Sequence, residues 1–308
     1  MTQRGIIPVL LVSLSGVALI FAGCDTSTGG GETVQGFRVG EPELLFSIQQ
    51  TPILDTDLSP DGSTIACYHY DEEADEPYYQ LRLYDAATGE LEVAAENVWI
   101  IDHARPRFSP DGSRVVYAEL FGFTTPQVYL YDIAADSSDF VMEGSEAAWD
   151  PAGDRLAIRR DEGLYLHDLA SGEADFLCPE VPIGLEFSPD GGWIYGFLNG
   201  QVVRADVTDG SIEEISDFDL EPVELEFELL PDGSAALLWL PGYPDGFAGL
   251  LDISTGEVEW IEDQFDGISF TWPALVGDGD DGYLVFQRSN TQDGRDYYGV
   301  EVEFAWTE

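Results

Sequence analysis

The chain has 308 residues, of which 60 are acidic and 12 basic, and its formal net charge is −48. All the basic residues are arginine. This charge excludes nucleic-acid binding through a basic surface, and an anionic membrane would repel the protein unless a covalent lipid held it there. Hydrophobic residues nevertheless make up 44% of the chain and aromatic residues 12%, which a disordered acidic chain lacks. We therefore expect a folded protein whose carboxylates lie on its surface.

The first segment, residues 1–23, has the pattern of a secretory signal peptide. Arg4 precedes an uncharged, mostly apolar stretch, Ile6 to Ala22, which ends in small residues. A permanent membrane span is the alternative, but the stretch is near the lower limit for crossing a bilayer. The sequence therefore favours cleavage and export.

The end of this segment, Phe21-Ala22-Gly23-Cys24, resembles the lipobox of prokaryotic prolipoproteins, with Phe21 where leucine is usual. The resemblance implies that Cys24 becomes the mature N-terminus and carries acyl chains. An incidental cysteine after an ordinary signal is the alternative. Residues 24–40 are rich in Gly, Ser, Thr and Glu, and we predict that they form a flexible tether.

A turn motif then recurs along residues 41–308. Ser-Pro-Asp-Gly occurs three times, and weaker copies follow; the turn prolines are Pro60, Pro110, Pro151, Pro189 and Pro231, with Gly277 in place of a sixth. Proline, aspartate and glycine suit successive positions of a tight turn. The spacing of the copies suits four-stranded propeller blades, and β-rich runs follow each turn without helical periodicity. We predict an all-β, six-bladed β-propeller of four-stranded antiparallel blades, in which the N-terminal run Glu43–Ile48 completes the last blade.

These repeated turns, together with strand ends such as Tyr84-Asp85 and second turns such as Thr88-Gly89-Glu90, resemble the TolB-like six-bladed β-propellers. The resemblance covers residues 43–308. It implies a propeller in the cell envelope, but related propellers also include peptidases and lyases, so the fold does not determine the activity. The additional N-terminal domain of TolB has no counterpart in the predicted tether, and TolB's partner interactions are therefore not transferred.

The innermost strand of each blade precedes its turn and should line the central channel. We expect a polar ring there, made of Asp55, Asp57, Arg105, Arg107, Glu146, Glu186, Glu226, Glu228 and Trp272. One interpretation is that Arg105 and Arg107 neutralise the two aspartates on the neighbouring blade. The other is that both arginines face the channel and hold an anionic group of a ligand.

Other candidate residues have simpler structural interpretations. His69, His103 and His167 fall at different radial positions, which argues against a shared metal. The cluster Asp278, Asp280 and Asp281 lacks the spacing of an EF-hand loop and is predicted to be a solvated turn. Cys67 and Cys178 belong to non-adjacent blades, so we expect both to be free thiols and Cys67 to be buried.

The sequence therefore predicts a lipid-anchored, extracytoplasmic propeller that acts as a non-enzymatic binding or scaffold module in the cell envelope. We expect no catalytic residues, metal or cofactor, a monomeric state, and a protein or glycan of the envelope as partner, with no nucleic acid. A polysaccharide lyase or hydrolase with its site at the channel mouth is the alternative, and a purely structural lipoprotein is a third possibility. The absence of lysine beside so many acids also resembles halophilic proteins.

Overall fold

The computed structural model describes residues 34–39, 43–48, 53–71, 78–85, 88–98, 104–120, 125–216, 226–230, 232–240, 247–261, 274–278, 281–289 and 295–306. The regular secondary structure in these ranges is entirely β-strand. They contain no helix long and apolar enough to cross a bilayer. The predicted signal peptide, Cys24, His103 and Trp272 lie outside the described residues.

Two short strands near the N-terminus come first, β1 (Val34–Val39) and β2 (Glu43–Ile48). Five four-stranded antiparallel sheets follow in chain order, and consecutive strands pair within each of them. The first two sheets contain β3 (Ile53–Leu58), β4 (Thr64–Asp71), β5 (Tyr78–Asp85) and β6 (Leu91–Val98), then β7 (Arg107–Phe108), β8 (Arg114–Glu119), β9 (Gln127–Asp132) and β10 (Ser137–Glu143).

The third, fourth and fifth sheets repeat this order. Their strands are β11 (Glu146–Trp149), β12 (Arg155–Arg160), β13 (Gly163–Asp168) and β14 (Ala174–Cys178); β15 (Ile183–Phe187), β16 (Trp193–Leu198), β17 (Gln201–Asp206) and β18 (Ile212–Glu214); and β19 (Glu226–Leu229), β20 (Ala235–Leu240), β21 (Phe247–Asp252) and β22 (Val258–Ile261). These five sheets are the blades of a propeller, and we number them one to five.

Both ends of the chain share one further sheet, which we call the terminal sheet. It consists of β23 (Ala274–Asp278), β24 (Asp281–Ser289) and β25 (Arg295–Trp306), with β1 and β2 both paired to β25. Val39 lies opposite Val302, and Glu43 lies opposite Gly299. The two N-terminal strands therefore follow one another along β25, which confirms that the run Glu43–Ile48 pairs with the C-terminal strand. Residues 34–39, assigned to the tether from sequence, are a strand.

The prediction of six four-stranded blades is wrong in number, because the structure has five such blades and a five-stranded terminal sheet. The difference lies at the outer edge of the terminal sheet, where two N-terminal strands, β1 and β2, pair with β25 in place of one outer strand. The sixth turn differs as well. Gly277 is paired with Gly282 within the β23–β24 hairpin, and Asp278 with Asp281. Proline removes an amide from a sheet, whereas glycine keeps it. Gly277 can therefore remain in the ladder where a sixth proline would have ended the strand.

The hydrophobic core lies between neighbouring blades. Val115 and Tyr117 pack toward blade one, whereas Val116 and Ala118 of the same strand pack toward blade three. Successive side chains of a strand point to opposite faces, and here both faces are covered by other sheets. This arrangement explains why the second strand of each repeat is a mostly apolar run.

The Ser-Pro-Asp-Gly turns contact one another around the channel. Glycine in the turns of blades one to five has a φ of +70° to +74°. A Cβ at Gly112 would lie 3.4 Å from the Pro60 Cδ atom, and one at Gly153 3.6 Å from the Pro110 Cδ atom. In blades one to four the turn proline thus faces the glycine of the next blade's turn, so the repeat positions adjacent blades as well as reversing the chain.

Candidate functional site

Charged side chains from several blades meet where the inner strands reach their turns. Three positions before the turn proline, the sequence has Asp57 in blade one, Arg107 in blade two, Ala148 in blade three, Glu186 in blade four and Glu228 in blade five. All five residues line one cavity of about 240 Å³, which we call the channel cavity. Because equivalent positions of each inner strand face the same level of the channel, five distant parts of the sequence contribute to one site.

Carboxylates in this region bind the backbone of the following blade. The Phe108 amide donates to Asp57 Oδ2 at 2.6 Å, and the Leu229 amide donates to Glu186 Oε2 at 3.1 Å. In the same way, the Leu185 amide donates to Glu146 Oε1 at 2.6 Å. Each bond satisfies a buried donor that the sheet itself leaves unpaired. These side chains are thereby fixed in position before any ligand arrives.

The two arginines cross the channel. Arg105 Nη2 lies 2.8 Å from Glu228 Oε2, and Arg107 Nη1 lies 3.9 Å from the same oxygen. Arg107 Nη2 also donates to the Leu185 carbonyl at 3.2 Å, passing blade three, where the small Ala148 occupies the matching position. Both guanidinium groups are therefore already held by protein acceptors on blades four and five.

The electrostatic balance within the site is uneven. Burial raises the pKa of Glu186 to about 8, with the nearby Glu228 adding to this effect and Arg107 and Arg105 opposing it. Burial also raises the pKa of Asp57, again against the two arginines. Burial alone would lower the pKa of Arg105, but Glu228, Glu186 and Asp57 outweigh it and the pKa is raised. A proton on Glu186 thus removes one negative charge from a site in which three carboxylates face two guanidinium groups.

Aromatic and proline side chains form the walls of the channel cavity. Trp149 is 8% exposed, and its Nε1 donates to the Arg107 carbonyl at 3.1 Å. Phe108 and Phe187 flank the carboxylates, and Pro60, Pro110 and Pro151 form the rim. A cavity with apolar walls and a few fixed polar groups is the usual form of a small-ligand site.

The predicted site residues have different positions in the structure. Asp57, Arg107 and Glu186 line the channel cavity, and Arg105 is buried beside it, bound to Glu228. Asp55 lies on β3 at a break in the register between Leu54 and Thr56, so regular alternation does not hold there. Glu226 lies on β19, opposite Trp239. Trp272 and Cys24 remain sequence predictions.

The interpretation in which the arginines neutralise Asp55 and Asp57 must be modified. Asp57 does lie in the field of both guanidinium groups, whose charges oppose the burial that raises its pKa, but Arg105 forms its salt bridge with Glu228 on blade five. Glu228 belongs to the polar ring expected from the sequence, whereas Trp149 is a site residue that the sequence analysis did not select. Glu228 precedes Pro231 by three residues, the same interval that separates Asp57 from Pro60. This equal spacing explains why Glu228 and Asp57 line the same cavity.

Other candidates do not join the site. His69 and His167 are buried on separate blades, and burial lowers the pKa of His167. Cys67 and Cys178 are free and buried, which confirms that prediction, and burial raises the pKa of the Cys67 thiol to about 12. Among the described residues, no three His, Cys, Asp or Glu side chains are grouped to hold a metal ion.

The four-stranded antiparallel blades, each with its inner strand at the central channel, define a β-propeller. Solved structures show the same fold: TolB from Acinetobacter baumannii is 19% identical, with a TM-score of 0.54 over 80% of this chain and 66% of that protein. The protein assigned as TolB from Agrobacterium tumefaciens is 20% identical, with a TM-score of 0.55 over 83% of this chain and 91% of that protein. These similarities support the TolB-like propeller fold. No family model matches the chain, and no curated protein matches it.

Proposed function

We propose that this protein is a lipid-anchored, non-enzymatic binding module of the cell envelope, and that it binds its ligand in the channel cavity. The observation that carries the proposal is the convergence of five inner strands on a preformed cavity of about 240 Å³ with fixed charged groups and aromatic walls. Its partner would be an envelope protein or glycan, and a monomer would suffice because the site is built within one chain.

We further propose that the terminal sheet closes the ring as its sixth unit. The inner strands contact one another in the order β3, β7, β11, β15 and β19, and β23 contacts β3. With β1 and β2 on the edge of β25, the two ends of the chain are joined by strand pairing. Closure of this kind removes a free edge between the first and last units of a propeller.

The anchoring part of the proposal concerns Cys24. Lipid on this residue would hold at a membrane a protein whose net charge of −48 gives it no electrostatic affinity for anionic lipids. We expect the full chain to enter the detergent phase in Triton X-114 partitioning and the Cys24→Ser variant to remain in the aqueous phase. A Cys24→Ser variant that still partitions into detergent would rule out this anchor.

Binding is tested with the chain from residue 25 onward, which keeps every described strand and omits the signal peptide and Cys24. We propose screening it against envelope glycans and peptides, with Pro110→Trp to obstruct the rim of the channel cavity. Thr88→Trp, on an exposed turn of blade one, is the matched control. The hits should lose affinity at least tenfold in Pro110→Trp alone. Equal binding by both variants, with both folded, would contradict a site in the channel.

A further inference from the structure

The channel cavity presents unused hydrogen-bond acceptors to a ligand. One oxygen of Asp57 is bound by the Phe108 amide, one of Glu186 by the Leu229 amide, and one of Glu228 by Arg105. The second oxygen of each carboxylate accepts no hydrogen bond from the described part of the chain. The bound oxygens restrict the side chains, and all three residues line the channel cavity.

The guanidinium groups, by contrast, already have protein acceptors. Arg105 is 3% exposed and bound to Glu228, while Arg107 donates to the Leu185 carbonyl. An anion entering the cavity would have to compete with these partners and would meet three carboxylates. With all groups ionised, three carboxylates and two guanidinium groups leave one negative charge uncompensated, and a buried charge is costly unless it is paired.

The size and walls of the cavity indicate more than a bare metal ion. A volume of about 240 Å³ is several times the share of one water molecule, and Trp149, Phe108 and Phe187 supply apolar and aromatic surface. Aromatic faces attract organic cations, and an ammonium group has three donors for the three free oxygens. These features favour a cation carried on an apolar stem.

We infer that the channel cavity binds an alkylammonium group, which the carboxylates of Asp57, Glu186 and Glu228 receive and the aromatic walls enclose. This inference rests on the proposed function and identifies the chemistry of its ligand. The group could be a free small amine or the side chain of a lysine in an envelope protein, since both have the same charged head and aliphatic stem. It has the opposite charge from the anionic ligand considered from the sequence.

Binding should be linked to proton release from Glu186. Its charged neighbours are Arg105 and Arg107 on blade two and Glu228 on blade five, and Asp57 on blade one lines the same cavity. Glu146 on blade three accepts the amide of Leu185, the residue that precedes Glu186. Burial and Glu228 raise the pKa of Glu186 to about 8, so this group is mostly protonated at neutral pH. An ammonium ion favours the carboxylate and expels that proton. Affinity should therefore rise about tenfold per pH unit from pH 6 to 8 and level off above pH 8.

The probes are Nα-acetyl-lysine methylamide, n-butylammonium and, as the neutral control, Nα,Nε-diacetyl-lysine methylamide. Calorimetry is performed in 1 M NaCl on the chain from residue 25 onward, between pH 6 and 9. We expect both ammonium probes to bind and the neutral amide to bind at least tenfold more weakly. A tenfold preference for the lysine amide over butylammonium would indicate a protein side chain, and equal affinity would indicate a small amine.

Glu186→Gln removes one charge while keeping an acceptor for the Leu229 amide, and it should weaken ammonium binding about tenfold and abolish the pH dependence. Glu213→Gln is the matched control, because Glu213 is an outer-strand residue of the same blade paired with Arg204. Unchanged affinity in Glu186→Gln, or a wild-type affinity independent of pH, would overturn the inference. The pH series needs no variant and so remains decisive if Glu186→Gln does not fold.

The experiment separates the two proposals. If the neutral amide or an anionic probe such as N-acetyl-glutamate binds more tightly than the ammonium probes and is lost in Pro110→Trp, the alkylammonium inference fails while the channel site stands. If no probe binds and Pro110→Trp captures envelope ligands as the wild type does, both proposals fail.

Discussion

At the scale of single residues, carboxylates of the inner strands serve as acceptors for the next blade. Glu146 shows this most simply, because it is 4% exposed and accepts the Leu185 amide at 2.6 Å. The sequence identified these side chains as polar members of the channel ring, since residues at equal distances from their turns share a level. Which amide each one binds depends on the angle between neighbouring blades, and that angle is not encoded in any local pattern.

Replacing Glu146 with alanine should lower the free energy of unfolding by about 1–3 kcal/mol, because the buried Leu185 amide would lose its acceptor. Glu146→Gln keeps an oxygen in place and should cost less than Glu146→Ala. Urea denaturation of the three proteins measures the difference. Equal stability of Glu146→Ala and the wild type would show that this bond does not hold blades three and four together.

The raised pKa of Glu186 also has a consequence for stability. In the unfolded chain the pKa of this glutamate is near its ordinary value of 4.5, whereas in the fold burial raises it to about 8. The folded state therefore binds more protons between these values, and stability falls as pH rises through that window. The free energy of unfolding of Glu186→Gln should depend less on pH between 5 and 8 than that of the wild type. Parallel curves for the two proteins would contradict the assignment.

At the scale of elements, the turn proline determines where an inner strand ends. In blades one to five the inner strand ends two residues before the turn proline, whereas β23 continues past Gly277 to Asp278. The second strands, such as Trp193–Leu198, lie on the β-rich runs that follow each turn in the sequence. The register break at Asp55 was not predictable, because a bulge inserts one residue without changing the residue types around it.

Two turn glycines allow the effects of strain and contact to be separated. Gly62 has a φ of +71°, and a Cβ there would meet nothing within 4 Å; Gly233 has a φ of +73°, and a Cβ there would lie 2.9 Å from the Pro189 Cδ atom. Gly62→Ala should cost about 1–2 kcal/mol through the left-handed conformation alone. Gly233→Ala should cost more, because blades four and five would also have to separate. Thermal unfolding compares them, and an equal loss in both would exclude a role for contact between the turns.

At the scale of the whole molecule, the net charge of −48 is accommodated by a fold whose apolar side chains lie between blades. Carboxylates crowd the remaining surface and repel one another, which opposes the compact state. Salt shortens the range of this repulsion, from about 8 Å at 0.15 M to about 3 Å at 1 M. We propose that the charge is an adaptation to concentrated salt rather than a docking surface.

The melting temperature should accordingly rise as NaCl increases from 0.1 M to several molar. Scanning calorimetry on the chain from residue 25 onward tests this, with sucrose at equal osmolality as the control for water exclusion. A melting temperature that is flat or falls with salt would count against a halophilic protein.

Amide chemical shifts during titration with Nα-acetyl-lysine methylamide show whether the inner strands of several blades form one binding site at the channel cavity. The acceptors of the Phe108 and Leu229 amides, Asp57 and Glu186, line the cavity. The acceptor of the Leu185 amide, Glu146, is not among the described residues that line it. We predict shifts at Phe108 and Leu229 that saturate together, with a smaller change at Leu185. Saturating shifts confined to the outer strands, with Phe108 and Leu229 unchanged, would contradict the account.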